Sequence, residues 1–239
     1  MLAGVDGCRN GWIIAFGRSW PSHEPLSIEF CPEFKAVLEI TQTCDVVAVD
    51  MPIGVPDESE IRECDLCAQK ALGRQRNSVF LTPPRSCLEA KTPSEFQTMH
   101  QTARGKGAGL PVWGIVPKII EVNRILEERL SIDPRLQERI IEFHPELTWQ
   151  RISGSFKLSS KREAEGILQR FGLLEELSAG SLPAFPQKIS GKPAIDDVLD
   201  AVVGIAAAQS FMDRRDRLQR HPTTEPKMNQ RGLRMEIWY

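Results

Sequence analysis

The chain has 239 residues, with 30 Lys plus Arg against 32 Asp plus Glu, a formal net charge of -2, 41% apolar and 26% charged residues. That ordinary globular composition excludes a disordered, collagenous or supercharged chain. Near-neutrality excludes a generally basic nucleic-acid coat protein but leaves room for a local basic face.

The apolar stretches Leu2 to Val5 and Trp12 to Phe16 flank Gly7-Cys8-Arg9-Asn10-Gly11. They predict two antiparallel strands, with Asn10-Gly11 as the hairpin signal because both residues tolerate positive φ. Leu26 to Phe30 reads as a third strand. Pro32 to Ile40 reads as a helix, with Phe34, Val37, Leu38 and Thr41 at helical spacing. Val46 to Val49 is continuously apolar and stops at Asp50-Met51-Pro52. Such strands are usually buried on both faces, inside an α/β sheet. From 53 to 117, Gly and Pro break the pattern repeatedly, and the stretch reads as an inserted lid between two halves of one sheet. One helix is expected there, Glu60 to Leu72, capped by Gly73. Residues 62 to 106 carry eight Lys or Arg against four Asp or Glu, a local excess of positive charge.

Lys118 to Leu130 reads as a strong helix, with Ile119, Val122, Ile125, Leu126 and Leu130 as its apolar stripe. Arg139 to Phe143 is expected as a strand ending at His144-Pro145, residues 161 to 177 as an amphipathic helix, and Asp196 to Arg214 as the last major helix. His221 to Gln230 reads as a loose polar tail, and Met235 to Tyr239 as a terminal edge strand. Six Cys and no basic-then-apolar leader predict reduced thiols, a cytoplasmic protein and no signal peptide. No apolar run approaches the ~20 residues that cross a bilayer.

Carboxylates recur at strand ends. Asp6 follows the first strand, Asp50 the central one, and Glu142 and Glu146 flank a later strand end in Glu142-Phe-His-Pro-Glu146. Open α/β sheets form their sites at the carboxyl ends of parallel strands. Three or four acids converging there, with no Lys or Arg beside them in sequence, call for a cation. Oxygen ligands without a His or Cys cluster favour Mg²⁺ or Mn²⁺ over Zn²⁺. Taken singly, Asp6 reads equally well as a turn residue before Gly7, and Asp50 as a cap before Pro52. The last helix adds Asp197 and Asp200, three apart on one face that continues through Ala201, Gly204 and Ala208. A small-residue stripe lets a helix lie close to its neighbour, so the face touching the sheet also presents the two acids. Complementing the helix dipole explains Asp196 and Asp197 well and Asp200 less well.

These segments resemble a family. Strand-Asp, hairpin, third strand, helix, strand-Asp and a late helix with Asp-x-x-Asp-Ala are similar to the ribonuclease H-like nucleases. Asp197-Val-Leu-Asp200-Ala looks most like the helix of the RuvC-type resolvases. The whole chain resembles the domain-of-unknown-function family 429 of predicted nucleases. The match runs through Gly4-Val-Asp6-Gly-Cys-Arg-Asn-Gly-Trp12, Val49-Asp50-Met-Pro-Ile-Gly54, Arg62-x-x-Asp65, Ser78-Val-Phe-Leu-Thr-Pro-Pro84, Pro117-Lys-Ile-x-Glu121, Glu142-x-His-Pro-Glu146 and Asp197-x-x-Asp200-Ala.

The resemblance implies a single α/β domain with a five-stranded ribonuclease H-like mixed sheet, and a divalent-metal-dependent nuclease hydrolysing phosphodiesters at a two-metal carboxylate site. Asp6 would bridge both Mg²⁺ or Mn²⁺ ions, Asp50 would bind one, and Asp197 and Asp200 would complete the second. RuvC-type enzymes carry Glu where this chain has Asp50, which is shorter and shifts a ligand. Glu142, His144, Glu146 and Lys118 are expected behind the ligands or facing substrate. Arg9, Arg74, Arg76 and Arg85 are expected to bind nucleic acid, although a solvated basic face is the commoner role of such residues. The expected partner is RNA or DNA, with no membrane association; a homodimer is left open. Two rivals remain: a phosphotransferase of the actin-like superfamily, and a nucleic-acid-binding module of the same fold without catalysis. Cys64-Asp-Leu-Cys67 has zinc or redox spacing but no partner pair. Gly105-Lys-Gly-Ala-Gly109 lacks P-loop spacing and reads as a flexible loop.

Overall fold

The computed structural model describes residues 1–21, 26–154, 157–177, 188–213 and 219–239. Among them the elements run β1 Leu2–Cys8, β2 Gly11–Gly17, β3 Ser27–Cys31, α1 Phe34–Ile40, β4 Val46–Asp50, α2 Glu63–Leu72, α3 Pro93–Arg104, α4 Leu110–Leu130, β5 Ile140–Glu142, α5 Pro145–Ile152, α6 Ala164–Leu177, α7 Ile195–Asp213, β6 Arg220–His221 and β7 Ile237–Trp238. Arg214, expected as the end of the last helix, lies outside the described residues. The chain divides into two compact units. The first is Met1–Asp50, Glu138–Gln219 and Trp238–Tyr239; the second is Met51–Gln137 with Arg220–Ile237. The stretch expected as an insertion, 53–117, falls within the second unit.

The first unit is α/β, built on a five-stranded mixed sheet in the order β3-β2-β1-β4-β5. β1, β2 and β3 are antiparallel neighbours, while β4 and β5 run parallel to β1. The β1–β2 loop is Arg9-Asn10, because Cys8 pairs with Gly11 as the first residue of β2. The hairpin is as expected, its turn one residue earlier. Asp6 and Asp50 are the only charged residues of β1 and β4, and the apolar residues of both strands are buried on both faces. One face carries α1, whose Phe34 packs on Trp12 of β2 with ring centroids 5.0 Å apart.

The other face carries α7. A Cβ on Gly4 of β1 would lie 2.0 Å from the Ala201 carbonyl oxygen and 2.7 Å from the Gly204 Cα. Only glycine fits on both sides of that contact, so the small-residue stripe does set how close the helix lies to the sheet. Beyond β5, Phe143 bridges in parallel to Trp238, which stacks edge-on against Phe211 of α7 at 4.9 Å. The expected terminal strand is therefore short, Ile237–Trp238.

In the second unit several Gly and Pro residues that read as breakers mark helix ends. Pro93 opens α3 and Gly105 closes it in the left-handed conformation, φ 72°. Thr92 caps the first turn by accepting from Glu95 N at 3.1 Å, and Glu95 reaches back to Lys91 N at 2.7 Å. Helix α4 starts at Leu110, earlier than the expected Lys118, and runs through Pro117. A proline costs the helix one hydrogen bond. The upstream turns are held instead by packing, with Trp113 on Phe96 of α3 at 5.4 Å. Buried Asn123 on α4 ties down the Pro52–Val55 segment: its Nδ2 donates to Pro52 O at 2.7 Å and its Oδ1 accepts from Gly54 N at 2.9 Å.

A buried carboxylate cluster as candidate metal centre

Strand register places the first two acids. In the parallel β1–β4 pair, Asp6 stands directly opposite Asp50. Parallel partners point to the same face, here the face on which α7 lies. Asp200, in the second turn of α7, completes the group: one carboxylate oxygen from each of Asp6, Asp50 and Asp200 lies within 4.8 Å of the others. Asp6 is 7% exposed and Asp200 1%. Asp50 keeps partial contact with solvent.

Burial pushes the Asp6 carboxyl well above the usual carboxylate range, and the charges of Asp50 and Asp200 push it further the same way. Burial also raises Asp50, to about 7, helped by Asp200 and opposed by Lys161 and a side-chain hydrogen bond with Asp6. Asp200 rises to about 6, because burial outweighs the attraction of Lys161. Without a cation, then, the cluster holds protons near neutrality. One Asp6 oxygen accepts from Gly7 N at 2.8 Å, which fixes the carboxyl at the strand end. Asp200 Oδ2 takes a hydrogen bond from Lys161 Nζ. Asp200 Oδ1 is buried and has no hydrogen-bond partner among the described residues. A buried carboxylate oxygen left without a donor is costly unless something positive meets it. Three hard oxygen donors, one of them this orphaned atom's carboxylate, suit Mg²⁺ or Mn²⁺.

Asp197 stands apart from this set. Its Oδ2 accepts from Ala194 N at 3.0 Å, the backward half of a capping box, although its charge still acts on Asp6. The helix-end role read for Asp197 is therefore present, and Asp200 alone on α7 joins the strand acids. Glu142 pairs in register with Val49, so it lies on the sheet face opposite Asp6 and Asp50 and does not join them. Glu146, in the first turn of α5, is buried in a two-pronged ion pair with Arg170 Nη2 at 2.8 and 2.9 Å. Its charge nonetheless raises both Asp50 and Asp200. His144 caps α5, its carbonyl accepting from Thr148 N at 3.2 Å. Arg9 is exposed in the β1–β2 turn of the first unit.

The remaining expected residues belong to the second unit. Lys118 is half-buried on α4. Arg74 and Arg76 lie on a short 3₁₀ turn, Gly73–Ser78, none of whose residues is buried. Arg85 differs from the expectation of a phosphate-facing cation: it pairs with Glu127 and, at 3.3 Å, with Asp57. Other charges of the basic segment also turn inward. Arg62 is 0% exposed and pairs with Asp65, and Arg104 donates to the carbonyls of Ser59 and Thr82. The positive excess counted in sequence is in part internal wiring. Cys64 of the Cys64–Cys67 pair is buried and accepts from Arg62 Nε at 3.2 Å, a structural contact.

Sequence reasoning missed Lys161 and Arg170. Lys161 is 39 positions from Asp200 and stands before α6, in a stretch read as part of that helix. No spacing signal joins it to the acids.

Fold and site together define an α/β protein with a buried acidic cluster at the carboxyl ends of two parallel strands. The chain belongs to the family described as "Protein of unknown function (DUF429)", whose model matches residues 4–227. No curated protein and no solved structure matches it. No helix among the described residues is long and apolar enough to cross a membrane.

Proposed function

We propose that this protein is a divalent-metal-dependent phosphodiesterase of the ribonuclease H-like type, a nuclease acting on RNA or DNA. The observation that carries the reading is the meeting of Asp6, Asp50 and Asp200 around a buried Asp200 oxygen that nothing among the described residues satisfies. A three-stranded antiparallel half joined to two parallel strands, with an acid ending β4 and another near the end of β1, also supports it.

Asp6, Asp50 and Asp200 would hold the ion. When bound, it lowers the pKa of a coordinated water and neutralises charge developing on a scissile phosphate. The chain's own groups do the rest. Asp6, fixed by Gly7 N, and Asp50, opposite it in register, present a rigid pair of oxygens. In the metal-free protein burial and Asp200 raise the Asp50 carboxyl, so ion binding would release its proton. Near the cluster, the Glu146 charge that acts on Asp50 and Asp200 is balanced by Arg170, whose guanidinium carbon lies 5.7 Å from the centre of the Trp149 ring.

Calorimetry with Mn²⁺ tests the site. Wild type should bind and Asp6→Asn should lose binding. Equal binding by both would sink the assignment. Turnover is then read on single-stranded RNA, duplex and branched DNA and a chromogenic phosphodiester, with Asp50→Asn as the inactive control.

A further inference from the structure

The acidic cluster has a cation of its own. Lys161 Nζ donates to Asp200 Oδ2 and its charge acts also on Asp50 and Asp6. Its side chain is 30% exposed, while its ammonium is held by Asp200. An ordinary surface lysine would be free to swing away. The segment before Lys161 is instead strapped to α6. Leu158 is buried, Ser159 N donates to Gln169 Oε1 at 2.7 Å, and Ser159 O accepts from Arg170 Nη1 at 3.0 Å. Ser160 O accepts from Glu163 N at 3.0 Å. A Cβ on Gly166 would lie 2.1 Å from that same Ser160 oxygen, so the strap runs directly over a position only glycine can fill. Arg170, which holds the strap, also holds Glu146, so one buried guanidinium ties the strap to α5.

Charge balance gives this arrangement a meaning. When ionised, the three clustered carboxylates and one ammonium leave two negative charges, which one divalent ion matches; Asp197 adds one more negative charge that is felt at Asp6. Glu146 and Arg170 cancel one another. A second divalent ion would overcharge the cluster while Lys161 stays in place.

We propose that Lys161 is the built-in second cation of this centre: it holds Asp200 through Oδ2, leaves Oδ1 for a single Mg²⁺ or Mn²⁺ ion, and supplies the positive charge that a second metal would otherwise bring. The inference rests on the metal reading above and replaces the two-ion site that the family resemblance implies. Lys161 is a positioning residue for Asp200, and its ammonium supplies positive charge to the cluster.

Mn²⁺ titration calorimetry of wild type, Lys161→Met and Lys161→Arg decides the matter, with bound Mn²⁺ also read by electron paramagnetic resonance. Wild type and Lys161→Arg should each bind one ion. Lys161→Met should bind two, with the spectrum of a coupled pair. Two ions in wild type, or one ion in both wild type and Lys161→Met, would overturn the role of Lys161 and leave the metal site standing. No binding by any of the three would overturn the metal site itself and this inference with it. Melting curves in chelator come first; if Lys161→Met lacks a cooperative transition, Lys161→Gln takes its place.

Discussion

Each unit keeps charge away from water, and the two do it differently. In the second unit Arg62 is fully buried, yet it is answered by an acid and a hydroxyl. Its Nη1 donates to Thr82 Oγ1 at 3.1 Å, its Nε lies 3.4 Å from Asp65 Oδ1, and Asp65 Oδ2 accepts from Thr82 N at 2.8 Å. The Arg62 guanidinium meets the Asp65 carboxylate directly, and the Asp65 charge also reaches Arg104. Among the described residues of the first unit three carboxylates share one ammonium, and a buried oxygen of Asp200 goes unanswered. A closed network gives a unique packing and asks for nothing from outside. An unbalanced one stays strained until a cation arrives. Imbalance of buried charge, more than its presence, is what separates a candidate site from internal scaffolding.

The sharpest way to break the contrast is at its balanced end. Arg62→Met leaves Asp65 buried without its cation. It should cost about 3–5 kcal/mol, as removal of one partner of a buried pair does. Urea unfolding measures this, and the deficit should be the same in Mn²⁺ and in chelator. Recovery on adding Mn²⁺ would show that the Arg62 network belongs to a metal site too.

A smaller effect comes from pH. In the folded protein the pKa of Asp50 is raised to about 7 and that of Asp200 to about 6, from 3.8. Between these limits the folded protein binds more protons than the unfolded chain, so metal-free stability falls as pH rises from about 4 to 7. Raising a pKa by one corresponds to about 1.4 kcal/mol. Because Asp50 keeps solvent contact, we expect a discounted effect of about 2 kcal/mol between pH 5 and 8, read as the changing gap between wild type and Asp50→Asn. A gap that does not change with pH would mean the cluster is already relieved. Metal affinity should run the other way, rising to about pH 7 as the carboxyls lose their protons.

Smaller again is the effect of removing one acid. Asp6→Asn should raise the melting temperature in chelator by a few degrees, about 1 kcal/mol, by relieving repulsion. Mn²⁺ should reverse the ranking, because it stabilises wild type by mass action. A mutant that melts lower than wild type in chelator would assign Asp6 to holding the fold. The smallest change is at the outward turn of the basic segment. Arg74→Ala with Arg76→Ala should move stability by less than about 0.5 kcal/mol. If this turn meets phosphates, the double mutant should lower the salt slope of nucleic-acid binding by about 1–2. An unchanged slope returns both residues to plain surface charge.

The sequence carried the strand acids because an acid ending an apolar run breaks a strong pattern. Val46 to Val49 followed by Asp50, and Leu2 to Val5 followed by Asp6, are visible without coordinates. Asp200 was visible through helical spacing with Ala201, Gly204 and Ala208. The basic segment misled, since a count of Lys and Arg does not say which side chains turn inward. Arg62, Arg85 and Arg104 all find internal partners. Pro93, Gly105 and Pro117 misled likewise: as isolated residues they read as breaks, whereas two are helix ends and one sits within a helix.

Local chemistry by itself determined which residues end the strands, which face of α7 is small, and the family to which the chain belongs. Those features depend on near neighbours in sequence, where periodicity and side-chain size act directly. Tertiary structure alone decided that Asp6 faces Asp50, because a one-residue change of register would send one of them to the other side of the sheet. It also decided that Glu142 faces away, that Asp197 turns to its helix end, and that Lys161 reaches Asp200 across 39 positions. Charge–charge energy depends on distance in space and on the loss of water around the pair, and neither quantity is written in sequence separation.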